Sequence, residues 1–411
     1  MVKLKIFLFK ILCFFIVFDC IRSNLLYLNN FLSYIRDGVI ISLFLLCFDY
    51  KKFRMTFTKG VKLFYAYLWI IYLLSIIFTP VPMGVGFFPF YRMHTFLILF
   101  YITFWIEDIK LVLILNLLVK LSILLVFTNF IGYFWLGNLF ERSWGVRISV
   151  GYPTIDTVTY CFSLIVVLLN KELHYHVLKR TIYSFILIVG LISSFSGTGS
   201  LSLLFVLIGS SIVVFIFRQT QVTSRKTICL LLILTTIAVF LTPHILGKDN
   251  EIIYRGSLLL EAKYKNIIGD EDASSNTWEA RKAQYEYNSK KYNYNDARKI
   301  FGLSINAFTR DTFYAKKYLY CENMLDAIKI GLGYVGLIIF FLFNIQLLHI
   351  LYKKNDRFIF YCGLITCGVF MFGSNTTCTM ISISSVGFYA ILLVYLFKYN
   401  NEFATTTVVA R

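Results

Sequence analysis

The chain has 411 residues, of which 58% are apolar and only 15% charged, with a mean hydropathy of +0.72. Soluble domains carry about 25% charged residues, so this composition excludes a soluble globular class and indicates an all-α, polytopic integral membrane protein. The net charge of +18 would suggest nucleic acid in a soluble protein. Here the concentration of Lys and Arg on the cytoplasmic side of membrane proteins accounts for it, and no nucleic-acid partner is expected.

A bilayer-spanning helix needs about 20 mostly apolar residues. Runs of that kind lie at 4–21, 32–49, 63–79, 92–106, 111–136, 153–170, 181–196, 201–217, 227–246, 328–351, 358–373 and 379–397, which predicts twelve spans. The first has a basic start and an apolar centre, as a signal peptide does. The following "FDCIRSN" offers no small-residue cleavage site, so it reads as an uncleaved helix. The expected division is 1–246 for the first nine spans, 247–327 for a large outer loop and 328–411 for the last three spans with a short tail.

Twelve spans put both termini on one side, and Lys and Arg choose the side. With a cytoplasmic N-terminus the inner segments hold twenty of these residues, among them Lys51, Lys52, Arg54, Lys179, Arg180, Arg225 and Lys354. The short outer loops hold only Arg22, Arg92, Arg142 and Arg147. The stretch "ERSWGVRISVGYP" (141–153) therefore carries two arginines on the face where topology disfavours them. Arg22 and Arg92 read as partners of phospholipid head groups.

Residues 247–327 hold thirteen Lys/Arg against twelve Asp/Glu. Their Tyr and Trp content argues against disorder. "SSNTWEARKAQYEYNSKKY" fits a helix capped by Ser275 or Asn276, and "DARKIFGLSINAF" reads as a helix end with a turn at Gly302. The later "GLGYVG" matches a dinucleotide fingerprint but lies inside an apolar helix. Gly331, Gly333 and Gly336 there suit close helix packing instead.

The cysteines fall mostly in apolar runs (Cys13, Cys47, Cys161, Cys229, Cys362, Cys367) and read as small buried hydrophobes. His174 and His176 share one loop, too few ligands for a metal. No metal and no cofactor are expected. The outer face instead collects Arg142, Arg147, Arg255, Arg281 and Arg298 with the acids Asp156, Glu322 and Asp326. Guanidinium is a planar donor fork suited to phosphate oxygens. Carboxylates beside it suit proton removal from a sugar hydroxyl.

Three outer segments resemble blocks of the bacterial polysaccharide polymerases and O-antigen ligases, the Wzy/WaaL group. "RISVGYPT" is similar to that family's arginine, glycine and proline–asparagine block, with Thr154 in place of asparagine. "WEARKAQYEYNSKKYNYNDARKIFGLSINAF" is similar to its arginine-led helix ending in a glycine turn before an aromatic, on Arg281, Gly302 and Phe308. "ENMLDAIKIGLGYVGLIIF" is similar to its histidine–asparagine, leucine and glycine-x-x-glycine block. Asn323 and Leu325 match it, and Glu322 replaces the histidine of ligases. "SSFSGTGSLSLLF" resembles a serine-rich block but lacks its arginine. The blocks cover about a quarter of the chain.

The resemblance implies a metal-independent, inverting membrane glycosyltransferase in a bacterial cytoplasmic membrane. It would take a polyprenyl-diphosphate-linked oligosaccharide as donor and another as acceptor. Arg147 and Arg281, with Arg142 and Arg298, would hold the diphosphate, and Glu322 or Asp156 would be the base. Expected partners are membrane lipid, a chain-length regulator and a flippase. The missing histidine favours a polymerase over a ligase. A lipid-glycan flippase or another carrier is the alternative of a different class. Against it stands the small number of charges within spans, Lys120 in the fifth, with Arg36, Asp37 and Lys329 near helix ends.

Overall fold

The structure is a computed structural model. It describes residues 2–78 apart from Tyr27, 83–140 apart from Asp108, and 147–216 apart from Lys171, His174 and Phe195. It also describes isolated positions between 228 and 293, then 295–302, 323–373, and 380–399 apart from Ile381. Among these residues the architecture is all-α, with a single isolated β-bridge between Leu25 and Phe140.

The helices are α1 (Val2–Arg22), α2 (Asn29–Cys47), α3 (Tyr50–Thr56), α4 (Lys59–Phe78), α5 (Met83–Trp105), α6 (Leu111–Trp135), α7 (Pro153–Leu169), α8 (Val177–Ser193), α9 (Gly197–Ser211), α10 (Asp296–Phe301), α11 (Met324–Lys353), α12 (Arg357–Gly373) and α13 (Ile383–Lys398). Each apolar run marked in the sequence falls on one of them, except 227–246, which lies almost wholly outside the described residues. The fourth run extends nine residues further toward its N-terminus than the apolar run, through Pro89 in the helix interior. Proline costs an interior hydrogen bond but does not end a helix that neighbours support.

Four helical stretches, Asn30–Cys47, Lys59–Ile77, Leu111–Trp135 and Met324–Lys353, are long and apolar enough to cross a bilayer by length and composition. Large apolar side chains such as Leu45, Ile77 and Trp135 point outward over their surfaces. In water such surfaces would be covered; lipid solvates them. The chain is a helical, multi-pass membrane protein.

The chain forms two compact units, each assembled from segments distant in sequence: Met1–Ser42, Asp108–Ser275 and Tyr361–Gly373; and Leu43–Glu107, Asn276–Phe360 and Ser374–Arg411. In the first, α7 is the centre. Every described side chain from Ile155 to Leu169 is buried, against α1, α6, α8 and α9. Pro153 begins it at a position where the missing N–H costs nothing. Because no face of α7 meets solvent, its polar groups bond inside the unit. The Ser163 hydroxyl, for example, donates to that of Ser122 on α6 at 2.7 Å.

In the second unit α13 is the helix buried on all sides. It packs on α5, where Phe96 and Tyr389 meet with ring centres 5.7 Å apart. The α13 C-terminus is closed by Lys354, whose Nζ donates to the carbonyls of Leu396 at 3.2 Å, Phe397, and Tyr399 at 3.1 Å. A cation there satisfies orphan carbonyls and complements the helix dipole. Burial brings its pKa down to about 8, with nearby Asp356 acting in the opposite direction.

Candidate functional site

The segment before α7 is the first block singled out in the sequence, and it is held from every side. The Ile148 amide donates to the Ser193 carbonyl at 3.0 Å. The Val150 amide donates to Asn129 Oδ1 at 3.0 Å, and Asn24 Nδ2 donates to the Val150 carbonyl at 2.7 Å. Gly151 lies where the α1 backbone passes closest. A Cβ there would stand 3.1 Å from Cys20 C and Ile21 N. Loops at a membrane surface are ordinarily the mobile parts; this one is tied to α1, α6 and α8.

Asp156, in the first turn of α7, is fully buried and anchors the arrangement. Its Oδ1 accepts from Cys20 Sγ at 2.8 Å. Its Oδ2 accepts from Ser149 Oγ at 2.7 Å and Asn129 Nδ2 at 3.0 Å. Asn129 Nδ2 also donates to the Tyr160 hydroxyl at 2.8 Å. A carboxylate is an acceptor only, and three donors converge on it. In this geometry Asp156 fixes the loop that carries Arg147. Arg147 itself is half-buried, and its carbonyl accepts from the Ser149 amide at 2.8 Å.

One residue before Cys20 on α1 begins a second polar cluster, which the sequence reading did not assemble. Asp19 Oδ1 accepts from Arg22 Nε at 2.7 Å and from Arg36 Nη1 at 2.5 Å. Arg36 Nε and Nη2 also fork onto Asp37 at 2.8 and 3.1 Å, and Arg22 Nη1 donates to Ser33 Oγ. Arg36 is fully buried. Two cations and two anions balance, the condition under which buried charge is tolerated. Arg22, expected to face head groups, is buried against Asp19, and Arg92 is also buried. The three-residue interval in "DCIR" and the adjacent "RD" within an apolar run were the available signals.

The second unit holds the other two blocks. α10 is capped by Asn295, and it ends at Gly302 as the sequence indicated, with Gly302 at φ 89°. Arg298 on α10 is half-buried. Gly302 packs on α11 where α11 breaks, at Gly333 with φ 71° and ψ −174°. A Cβ on either glycine would overlap the other strand of backbone, at the Gly331 carbonyl or the Ile300 carbonyl. The Tyr67 hydroxyl on α4 bridges the junction, bonding to the carbonyls of Leu332 at 2.8 Å and Phe301 at 3.1 Å. Asn323, the matched residue of the third block, is the N-cap of α11. Its Oδ1 accepts from the amides of Leu325 at 2.9 Å and Asp326 at 3.3 Å. Asp326 is half-buried in the first turn.

Arg142, Arg255, Arg281, Phe308 and Glu322 lie outside the described residues, as does the helix expected around Trp278. Among the described residues, no three His, Cys, Asp or Glu side chains come together as a metal site. No protein-family model matches the chain, and no curated protein is significantly similar to it. What sequence and structure establish together is a helical membrane protein with several spans, carrying a buried carboxylate that accepts a hydrogen bond from Ser149, two residues beyond Arg147.

Proposed function

We propose that this protein is a polysaccharide polymerase of O-antigen, capsule or exopolysaccharide type. It joins polyprenyl-diphosphate-linked repeat units at the outer face of a bacterial cytoplasmic membrane, through twelve spans with both termini inside. The observation that carries the reading is the network of hydrogen bonds that holds residues 148–150, directly after Arg147. A group that stabilises charge developing on a leaving diphosphate works best when held in place beforehand. The cap at Asn323 and the Gly302–Gly333 junction give two further blocks of the resemblance defined physical roles, which supports it.

In the proposed reaction Arg147 and Arg281, aided by Arg142 and Arg298, hold the donor diphosphate. Glu322 takes the proton of an acceptor hydroxyl. That oxygen bonds to the anomeric carbon from the face opposite the departing diphosphate, the bond from carbon to phosphate oxygen breaks, and configuration inverts. Asp156, expected as the alternative base, is given a positioning role here, because Cys20, Ser149 and Asn129 cover both its oxygens. The ligase alternative differs in its acceptor.

Arg147→Ala and Arg281→Ala are each expected to abolish polymer while the protein still reaches the membrane at the wild-type level; normal polymer in both overturns the assignment. One observation favours transport instead: the buried Asp19–Arg36 pair, since ionisable groups within spans often line carrier paths. Purified protein in liposomes separates the two readings. New glycosidic bonds in a lipid-linked glycan identify the enzyme, and translocation without them identifies the carrier.

A further inference from the structure

α6 carries Lys120 ten residues beyond its N-cap, Lys110, with nine uncharged residues of the helix before it and fifteen after. At 1.5 Å per residue it stands about 15 Å along the axis from Lys110, deep in the span of an apolar helix long enough to cross a bilayer. Its side chain is exposed. It shares that face with Leu113, Leu124, Phe127, Ile131 and Phe134, all exposed, at alternating three- and four-residue intervals from Lys120 onward. No acidic side chain pairs with it among the described residues. Arg36, a buried cation of the same unit, is by contrast enclosed by Asp19 and Asp37.

Lipid tails cover the leucines and phenylalanines of such a face without difficulty. They do not cover an ammonium. A lysine stem reaches roughly 6 Å and leans toward the helix N-terminus, which leaves about 9 Å of hydrocarbon between it and the level of Lys110. A second copy of the same face would set Lys120 against Lys120, so like charges oppose a symmetric contact.

We infer that the Lys120 face of α6 is a docking surface for a transmembrane helix of another protein that carries a carboxylate at matching depth. The seam of Leu124, Phe127, Ile131 and Phe134 supplies the apolar contact, and Lys120 sets register and partner choice, as a single polar seam residue does in helix pairs. The inference is independent of the polymerase reading.

The test uses the full chain reconstituted in phosphatidylcholine vesicles with a labelled single-span helix of leucine and alanine. One version bears Asp at mid-span and another bears Leu there, and association is read by energy transfer. The Asp helix is expected to associate about tenfold more tightly than the Leu helix. Lys120→Met should erase that difference, and Lys120→Glu should transfer the preference to a Lys-bearing helix. Equal association of the Asp and Leu helices, or a preference that survives Lys120→Met, overturns the proposal. So does an interaction of Lys120 that needs anionic phosphatidylglycerol and ignores the helix, which assigns the lysine to a lipid head group. Cross-linking of the chain to itself through Leu124 would overturn it as well.

Discussion

Asn129 joins three pieces of chain through one carboxamide. Its oxygen takes the Val150 amide, and its nitrogen serves Asp156 and Tyr160. Leucine would fill the same volume but leave the Val150 N–H buried without its acceptor. Asn129→Leu is expected to cost about 1–3 kcal/mol, seen as a lower thermal midpoint of the detergent-solubilised protein. Nothing in the sequence marks this residue. An uncharged amide within 25 mostly apolar residues is ordinary, and its partners are supplied by chain 21 to 31 positions away. Asp156 was legible as a residue of interest, but its enclosure was not, because Cys20 reaches it from 136 residues away. Lys354 offers a pH test at the same scale. Its folded pKa of about 8 lies below the unfolded value of about 10.4. Between those pH values the unfolded chain binds more protons, so the Lys354 contribution to stability rises with pH through that window and is flat below it. Thermal midpoints of wild type relative to Lys354→Met should therefore shift in favour of wild type as pH goes from 7.5 to about 10.

At the scale of elements, the junction of α10 with α11 departs most from an ideal helix. The break at Gly333 frees carbonyls that a straight helix would have used, and Tyr67 takes up that of Leu332. Tyr67→Phe removes this bond and is expected to cost about 1 kcal/mol. Gly333→Ala meets both a left-handed backbone angle and the Ile300 carbonyl. It should lose at least about 2 kcal/mol and release α10, making Arg298 more accessible to an arginine-directed reagent. The glycine cluster was visible in the sequence, and close packing was the right reading of it. The kink was not visible, because its cause is the end of another helix some thirty residues earlier. The turn at Gly302 was legible because a glycine that closes a polar helical stretch is a local signal.

At the scale of the molecule, hydropathy located the long apolar helices of the described residues, since lipid demands long apolar runs and the sequence supplies them, while the short polar α3 and α10 lie in none of those runs. The grouping into two units was not readable from it, because helix–helix contacts in lipid depend on shape and buried polar pairs rather than on hydrophobicity. The side assignment rests on Lys and Arg, and it makes a direct prediction. Reporters fused after Lys179 should be active in the cytoplasm, and reporters fused after Tyr152 should be active outside. The inverse pattern would place the Arg147 loop on the wrong face. The enclosure of α7 also bears on biosynthesis. A helix with no lipid-facing side, and with Asp156, Thr157, Thr159 and Ser163 along it, gains little by entering the bilayer alone. Its final environment exists only once α8 and α9 have been made. Chains truncated after residue 170 should therefore fail to hold α7 in the membrane against alkaline extraction, and chains ending after residue 216 should retain it. The centre of this unit thus finds a settled place only after chain well beyond its own C-terminus has been made.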